Sequence, residues 1–273
     1  MALSSTGAPA AFTGKEVYQQ SFDPGQYLRE FYNLSDSQGQ PNTFLMQNLK
    51  SLWKMFSLEG LKGETLIDVG CGPTIYQLLS ACEHFQEIFA LDYTDQNRRE
   101  LEKWLKKEAG AFDWKPVVEY VCELEGKREK WAEKEEKLRQ KVRQVLKCDV
   151  TKANPTDPVS LPPADCVVST LCLEAACKDL ATFRGALKNV GNLLKPGGHL
   201  VMVTVLRETY YTFNNVVFSC LRLEKDEVEE AVKGAGFEVR FSEVWTCPPD
   251  TATGGDCEAL LSLVARRRTP TSG

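Results

Sequence analysis

The sequence predicts an α/β protein: a mostly parallel sheet with helices on both faces. Three observations predict it. Short apolar runs of strand length alternate with helical stretches from Thr65 onward. The first run breaks at a glycine turn, Gly70-Cys71-Gly72-Pro73, before a helical stretch. The second ends on a carboxylate, Asp92. Strands separated by helical crossovers pair in parallel, and such sheets are covered on both sides.

In chain order, 12–60 read as helical, with Tyr18, Phe22, Tyr27, Phe31 and Tyr32 gathering rings on one side. Residues 65–69 form the first strand and 75–82 a helical run; 87–91 form the second strand, followed by a helix over 96–107 with Leu101 and Leu105 facing inward. The charge-dense run 130–143, with Trp131, Leu138 and Val142 on its apolar edge, reads as a surface helix. Strands follow at 145–150 and 165–170, a helix at 180–194, and Lys195-Pro196-Gly197-Gly198 leads into a strand over 199–206. A helix at 224–234, a strand at 237–244 and an apolar run at 260–265 close the pattern, with no internal repeat or long linker. At 273 residues this suits one large domain.

Composition excludes several function classes. A net charge of -5 provides no electrostatic footprint for nucleic acid, and Arg266-Arg267-Arg268 reads as a solvated tail. No basic and apolar leader opens the chain, and no stretch reaches the ~18 apolar residues of a membrane span. The expectation is a cytosolic protein with no membrane partner. The 10 cysteines are scattered without CxxC spacing, so they are expected to be reduced. With only His84 and His199 beside them, no metal site is expected.

The glycine turn carries the first chemical signal. Asp68-Val69-Gly70-Cys71-Gly72 ends a strand in a turn that lets backbone amides approach a ligand, and Asp92 follows about 20 residues later, placed to accept bonds from two ribose hydroxyls. Pro73 and Thr74 follow, and Ile75 occupies the third fingerprint position instead of glycine. This disfavours a dinucleotide pyrophosphate, and with it a dehydrogenase, and favours a nucleoside bearing a methionine-type tail. Asp149, after the third strand, is expected near the adenine amino group. Gly70, Asp92, Asp149 and Thr170 all fall beyond the carboxyl ends of strands, where open sheets bind ligands.

The strings 65–82 (TLIDVGCGPTIYQLLSAC), 101–107 (LEKWLKK) and 193–200 (LLKPGGHL) make the resemblance specific. The chain resembles the nicotinamide, indolethylamine (thioether) and phenylethanolamine N-methyltransferases from about Tyr18 to Arg266. The resemblance implies an S-adenosylmethionine-dependent enzyme with a Rossmann-like class I methyltransferase sheet and an N-terminal helical cap. The implied organisation is a flexible 1–11, a cap over 12–60, the methyltransferase domain over 61–268 and a flexible tail over 269–273. The implied cofactor residues are Tyr18, Tyr27 and Tyr32 of the cap, Gly70, Cys71, Gly72, Thr74 and Tyr76 around the turn, then Asp92, Asn97, Asp149, Val150 and Thr170. Relatives often carry serine at position 71, a change that matters little where the loop works through its amides. Ring faces near a sulfonium also suit a cation, and a closed cap excludes water.

The acceptor is expected to be a small amine or pyridine and the protein a monomer. A pyridine nitrogen needs no base, whereas an aliphatic amine arrives as an ammonium and must lose a proton. Glu174 follows the fourth strand and Glu208 the fifth, so both can reach the crevice, and both match positions where the phenylethanolamine enzymes hold their substrate amine. They are the candidate catalytic residues. Tyr27, Leu171, Tyr211, Thr204, Cys220 and Asp256 complete the expected acceptor site. Thr204 stands where nicotinamide enzymes have an aspartate, and Glu208 and Cys220 replace serines. Gly255-Asp256 resembles the acidic pair of the phenylethanolamine enzymes only loosely. An arylalkylamine enzyme, a nicotinamide enzyme and a cofactor-binding protein without turnover stay open at this point.

Overall fold

Residues 11–270 are described in a computed structural model of the chain. In order they form α1 (Lys15–Ser21), α2 (Pro24–Phe31), α3 (Thr43–Phe56), β1 (Gly63–Val69), β2 (Phe85–Asp92), α4 (Asp95–Leu105), α5 (Lys115–Leu124), α6 (Trp131–Lys141), β3 (Val142–Lys147), β4 (Ala164–Thr170), α7 (Leu173–Ala176), α8 (Leu180–Gly191), β5 (Leu194–Leu206), β6 (Tyr210–Phe213), β7 (Val216–Ser219), α9 (Lys225–Gly234), β8 (Phe237–Thr246) and β9 (Ala259–Arg267). The end segments expected to be flexible, 1–11 and 269–273, lie almost wholly outside the described residues.

Seven strands make one sheet in the order β3-β2-β1-β4-β5-β9-β8. Its first five strands pair in parallel, and β9 joins antiparallel between β5 and β8. The strand order reverses between β1 and β4, which opens a crevice beyond their carboxyl ends. Burial on both faces explains the unbroken apolar runs. Leu66, Val201, Val203 and Val205 face a core shared with α3 and α5. Their neighbours Ile67, Leu200, Met202 and Leu206 face a second core with α8 and α9.

The helical start of the chain divides into two parts. Leu45, Leu49, Leu52, Met55 and Phe56 of α3 belong to the first core, where Asn42 caps the helix by accepting from the Leu45 amide. The shorter α1 and α2 lie over the strand ends; Asp23 caps α2, and Pro24 fills its first turn.

Four features depart from the sequence reading. The run 75–82 is not an α-helix but two short 3₁₀ turns, Tyr76–Leu78 and Ala81–Glu83. Gln77 accounts for this: its amide donates to Asp68 and to the carbonyls of Cys71 and Thr74, bonds that compete with a regular ladder. The surface helix α6 ends at Lys141, so that Val142 already begins β3, and its Lys134 is buried, paired with Glu83 and Glu125 at 2.8 Å each. Helix α5 and the β6–β7 hairpin were not expected. The hairpin turns on Asn214 and Asn215 with φ of 51° and 58°, as a two-residue loop between twisted strands requires.

Candidate active site

A cavity of about 160 Å³ sits at the reversal of strand order. Its floor is the turn after β1. Gly70 has φ of 74°, and a Cβ there would lie 2.2 Å from the Cys172 sulfur, so only glycine keeps this cradle open. The Gly70 and Cys71 amides both donate to the Leu91 carbonyl at 2.8 Å, tying the turn to β2. Asp92, at the tip of β2, accepts from the Gly72 amide at 3.0 Å on one oxygen, and from the Thr94 hydroxyl and Asn97 amide on the other. Asn97 Oδ1 is buried with no hydrogen-bond partner. An orphaned acceptor beside a carboxylate suits a ligand that brings hydroxyl donors, as a ribose does.

Aromatic rings from the cap form the roof. Tyr18 and Tyr211 share a hydroxyl bond of 2.8 Å, Tyr27 and Tyr32 one of 3.1 Å, and Tyr76 donates to Thr170 at 3.0 Å. Tyr32 lies between Tyr76 and Trp114, with centroids 5.1 and 5.6 Å away. Burial raises the Tyr27 hydroxyl to about 12 and Tyr18, Tyr32 and Tyr211 well above their usual value, so all stay neutral and offer unionised rings. The cap is fastened at three places, to the β6–β7 hairpin, to the loop after β3 and to α4. Thr13 and Ser219 exchange reciprocal bonds of 2.7 and 2.9 Å. Lys15 meets Asp149 at 2.6 Å, and its hydrogen bond holds Asp149 below the usual carboxylate range against the effect of burial. Gln96 donates to the carbonyls of Tyr18, Gln19 and Phe22.

A wider cleft adjoins this cavity, and Tyr27, Tyr32, Tyr76, Leu171 and Tyr211 line both. Glu174 from α7 and Glu208 after β5 open onto the cleft, yet are 3% and 5% exposed. Burial raises Glu174 to about 7, opposed by backbone amides and the Thr204 hydroxyl, which donates at 3.0 Å. Burial raises Glu208 to about 8, opposed by the Cys220 thiol at 3.2 Å and reinforced by the neighbouring charge of Glu174. Neither makes an ion pair among the described residues. Two buried carboxyls without a protein cation among the described residues form a pocket suited to a cationic guest, which would stabilise their ionised forms.

All the residues singled out for a cofactor, Tyr18, Tyr27, Tyr32, Gly70, Cys71, Gly72, Thr74, Tyr76, Asp92, Asn97, Asp149, Val150 and Thr170, line the first cavity. Of those expected at the acceptor, Tyr27, Leu171, Glu174, Glu208, Tyr211 and Cys220 line the cleft. Thr204 and Asp256 do not. Strand alternation turns Thr204 away from Val205, which does line the cleft. Asp256 is exposed and accepts from the Thr209 and Tyr210 amides. Lys15, Gln96 and the β6–β7 hairpin went unread: a lysine or glutamine at the start of a helix carries no signal of what it will reach, whereas Asn214-Asn215 between aromatic and β-branched residues did mark a turn.

Solved structures share this architecture. The magnesium protoporphyrin IX methyltransferase of Synechocystis, solved with bound SAM, aligns with a TM-score of 0.59 over 95% of this chain and 99% of that one, at 11% identity. The cyclase SpnF gives 0.59 over 97% and 99%, at 15% identity, so the fold by itself is compatible with more than one chemistry. The fold is that of the class I S-adenosylmethionine-dependent methyltransferases. Sequence similarity is far narrower: the NNMT/PNMT/TEMT profile matches residues 10–268. Nicotinamide N-methyltransferase of Homo sapiens is 54% identical, the match covering 94% of this chain and 97% of that protein. Indolethylamine N-methyltransferase of Oryctolagus cuniculus is 51% identical over 94% and 97%, and phenylethanolamine N-methyltransferase of Homo sapiens 40% over 91% and 89%. The chain belongs to the NNMT/PNMT/TEMT family, and is an S-adenosylmethionine-dependent N-methyltransferase.

Proposed function

We propose that the chain methylates the nitrogen of a small aromatic amine, bound as an ammonium between Glu174 and Glu208. The observation that carries this reading is the pair of buried carboxyls on the cleft, neither with a protein counter-ion among the described residues. Removing one charge from water is costly unless an opposite charge follows it. An arylalkylammonium supplies that charge, and its ring finds Tyr27, Leu171 and Tyr211.

S-adenosylmethionine, when bound, supplies an electrophilic methyl group on sulfur. Asp92 and Asn97 would hold its ribose, the open glycine turn at Gly70 and Gly72 would give its methionine portion room beside the backbone, and Asp149 with Val150 would hold its adenine. The rest of the chemistry belongs to the cleft. Because burial lifts both carboxyls toward the range of an amine, the proton leaves the ammonium at lower cost than it would to an ordinary carboxylate. Glu208, which holds a proton more tightly, is the better base, taking it directly or through water, and Glu174 keeps the nitrogen in place. The rings and the cap exclude water while the nitrogen lone pair lines up.

Glu174→Gln and Glu208→Gln should each lower kcat/KM for tryptamine on the order of 100-fold, while calorimetry with S-adenosylhomocysteine records unchanged affinity. Normal amine turnover by both variants would remove the proposed role. A pyridine acceptor is the second reading, favoured by the 54% identity to the human nicotinamide enzyme. A panel of tryptamine, phenylethanolamine, nicotinamide and dimethyl sulfide, read by mass spectrometry, separates the two. No turnover with any of them would instead favour a silent cofactor-binding protein. The proposed working form is a cytosolic monomer, which light scattering and cell fractionation test; no helix among the described residues is long and apolar enough to cross a membrane.

A further inference from the structure

Thr204 is a polar residue in the middle of an apolar strand. Side chains of β5 alternate between the two cores, with Val201, Val203 and Val205 in one and Leu200, Met202 and Leu206 in the other. Thr204 falls in register with the second set and pairs across the sheet with Leu261. It is 1% exposed and lines neither cavity. A hydroxyl buried among aliphatic side chains is costly unless its proton is used. Here the shorter of its two contacts is to Glu174 Oε2 at 3.0 Å, the other reaching the Val205 carbonyl at 3.4 Å.

Glu174 itself sits in α7, a helix of only four residues, so little backbone restrains its direction. Resting on the reading that Glu174 holds the acceptor nitrogen, we propose that Thr204 is a positioning residue: its hydroxyl fixes the Glu174 carboxyl toward the cleft as the acceptor of an ammonium. The same donor favours the ionised form of Glu174, since a hydrogen bond to a carboxylate is stronger than one to the protonated acid. The two glutamates differ in this respect. Among the described residues Glu208 has only the Cys220 thiol, a weak donor, whereas Glu174 also has backbone amides.

The titratable groups that bear on Glu174 are Tyr18 from α1, Tyr27 from α2, Cys172 and Cys177 at the ends of α7, Glu208 after β5 and Cys220 after β7. Burial pushes the tyrosines and cysteines of this set upward, so they stay neutral near pH 7, and Glu208 is the one other group that titrates with Glu174. Loss of the Thr204 proton therefore has a definite sign. The ionised form of Glu174 loses a donor, its pKa rises, and the acidic limb of the rate profile moves to higher pH.

The test compares Thr204→Val, Thr204→Ser and Glu174→Gln with the wild type, using tryptamine as acceptor and S-adenosylhomocysteine as the calorimetric ligand. For T204V the acidic limb of kcat/KM should move up by about half a pH unit or more, with kcat/KM near pH 7 falling about 5-fold and S-adenosylhomocysteine affinity unchanged. T204S should restore the wild-type limb. A wild-type limb in T204V overturns the proposal, as does a T204S variant no better than T204V, which would assign position 204 to packing alone. Should valine prevent folding, Thr204→Ala takes its place: an upward shift of the limb upholds the proposal, and an unmoved limb overturns it. If E174Q methylates tryptamine normally, the glutamate reading fails and takes this inference with it; if E174Q is crippled while T204V keeps the wild-type limb, only the role of Thr204 is lost.

Discussion

The two cavities share six lining residues, Tyr27, Tyr32, Tyr76, Leu171, Ala175 and Tyr211, and differ in how they are built. The cofactor cavity rests mainly on main-chain geometry: a left-handed glycine, amides tied to the next strand, and a carboxylate at a strand tip. The acceptor cleft is gathered mainly from side chains on α2 and the loop after it, the start of α3, α7, the end of β5, the hairpin and the loop 248–254. Main-chain geometry changes only when the fold changes, whereas a side chain changes with one codon. This is why relatives whose names give nicotinamide, indolethylamine and phenylethanolamine as substrates can match nearly the whole chain at 40–54% identity.

Substitutions can break or sharpen that contrast. The largest expected effect is on the rigid side: Asp92→Ala removes the acceptor proposed for the two ribose hydroxyls and should weaken S-adenosylhomocysteine binding about 100-fold or more, measured by calorimetry. Retained affinity would show that the strand-tip carboxylate is not the ribose anchor. An intermediate effect belongs to the cleft. Glu208 and Glu174 have folded values of about 8 and about 7 against an ordinary 4.5, so the protonated carboxyls favour the folded chain. That stability is fully present below about 4.5 and is lost as pH rises through 7 and then 8. Ligand-free Glu208→Gln should thus lose less thermal stability than the wild type between about pH 6 and pH 9, by several degrees in Tm. Parallel Tm–pH curves would show that Glu208 titrates as an exposed acid. The smallest effect is at the cap: Lys15→Ala removes a partly exposed ion pair to Asp149, worth about 0.5–1 kcal/mol, and should raise the KM for S-adenosylmethionine about 2- to 5-fold. A larger loss would mean that Lys15 closes the cap rather than merely steadying it.

The contrast also sets how much was legible in the sequence. Gly70, Gly72 and Asp92 form a local pattern whose spacing follows from strand–turn–helix geometry, so the cofactor side could be read from the chain itself, and the parallel sheet with it. Glu174 and Glu208 could be placed after strands, but their burial and lack of counter-ions arise from packing among α1, α2, α7 and the hairpin, which no spacing reveals. Thr204 shows the limit. Its position suggested an acceptor contact, while its direction depended on the pleat of β5, and the pleat turned it toward Glu174. The run 75–82 misled for a similar reason: its apolar residues do face the core, but Gln77 takes hydrogen bonds that an α-helix would have made with its own backbone.

Tyr32 packs at a tilt against Trp114, a buried indole one ring removed from both cavities. A ligand that shifts Tyr32 would alter the surroundings of that indole, one of five in the chain, and comparison with Trp114→Phe would single out its emission as a label-free signal of occupancy.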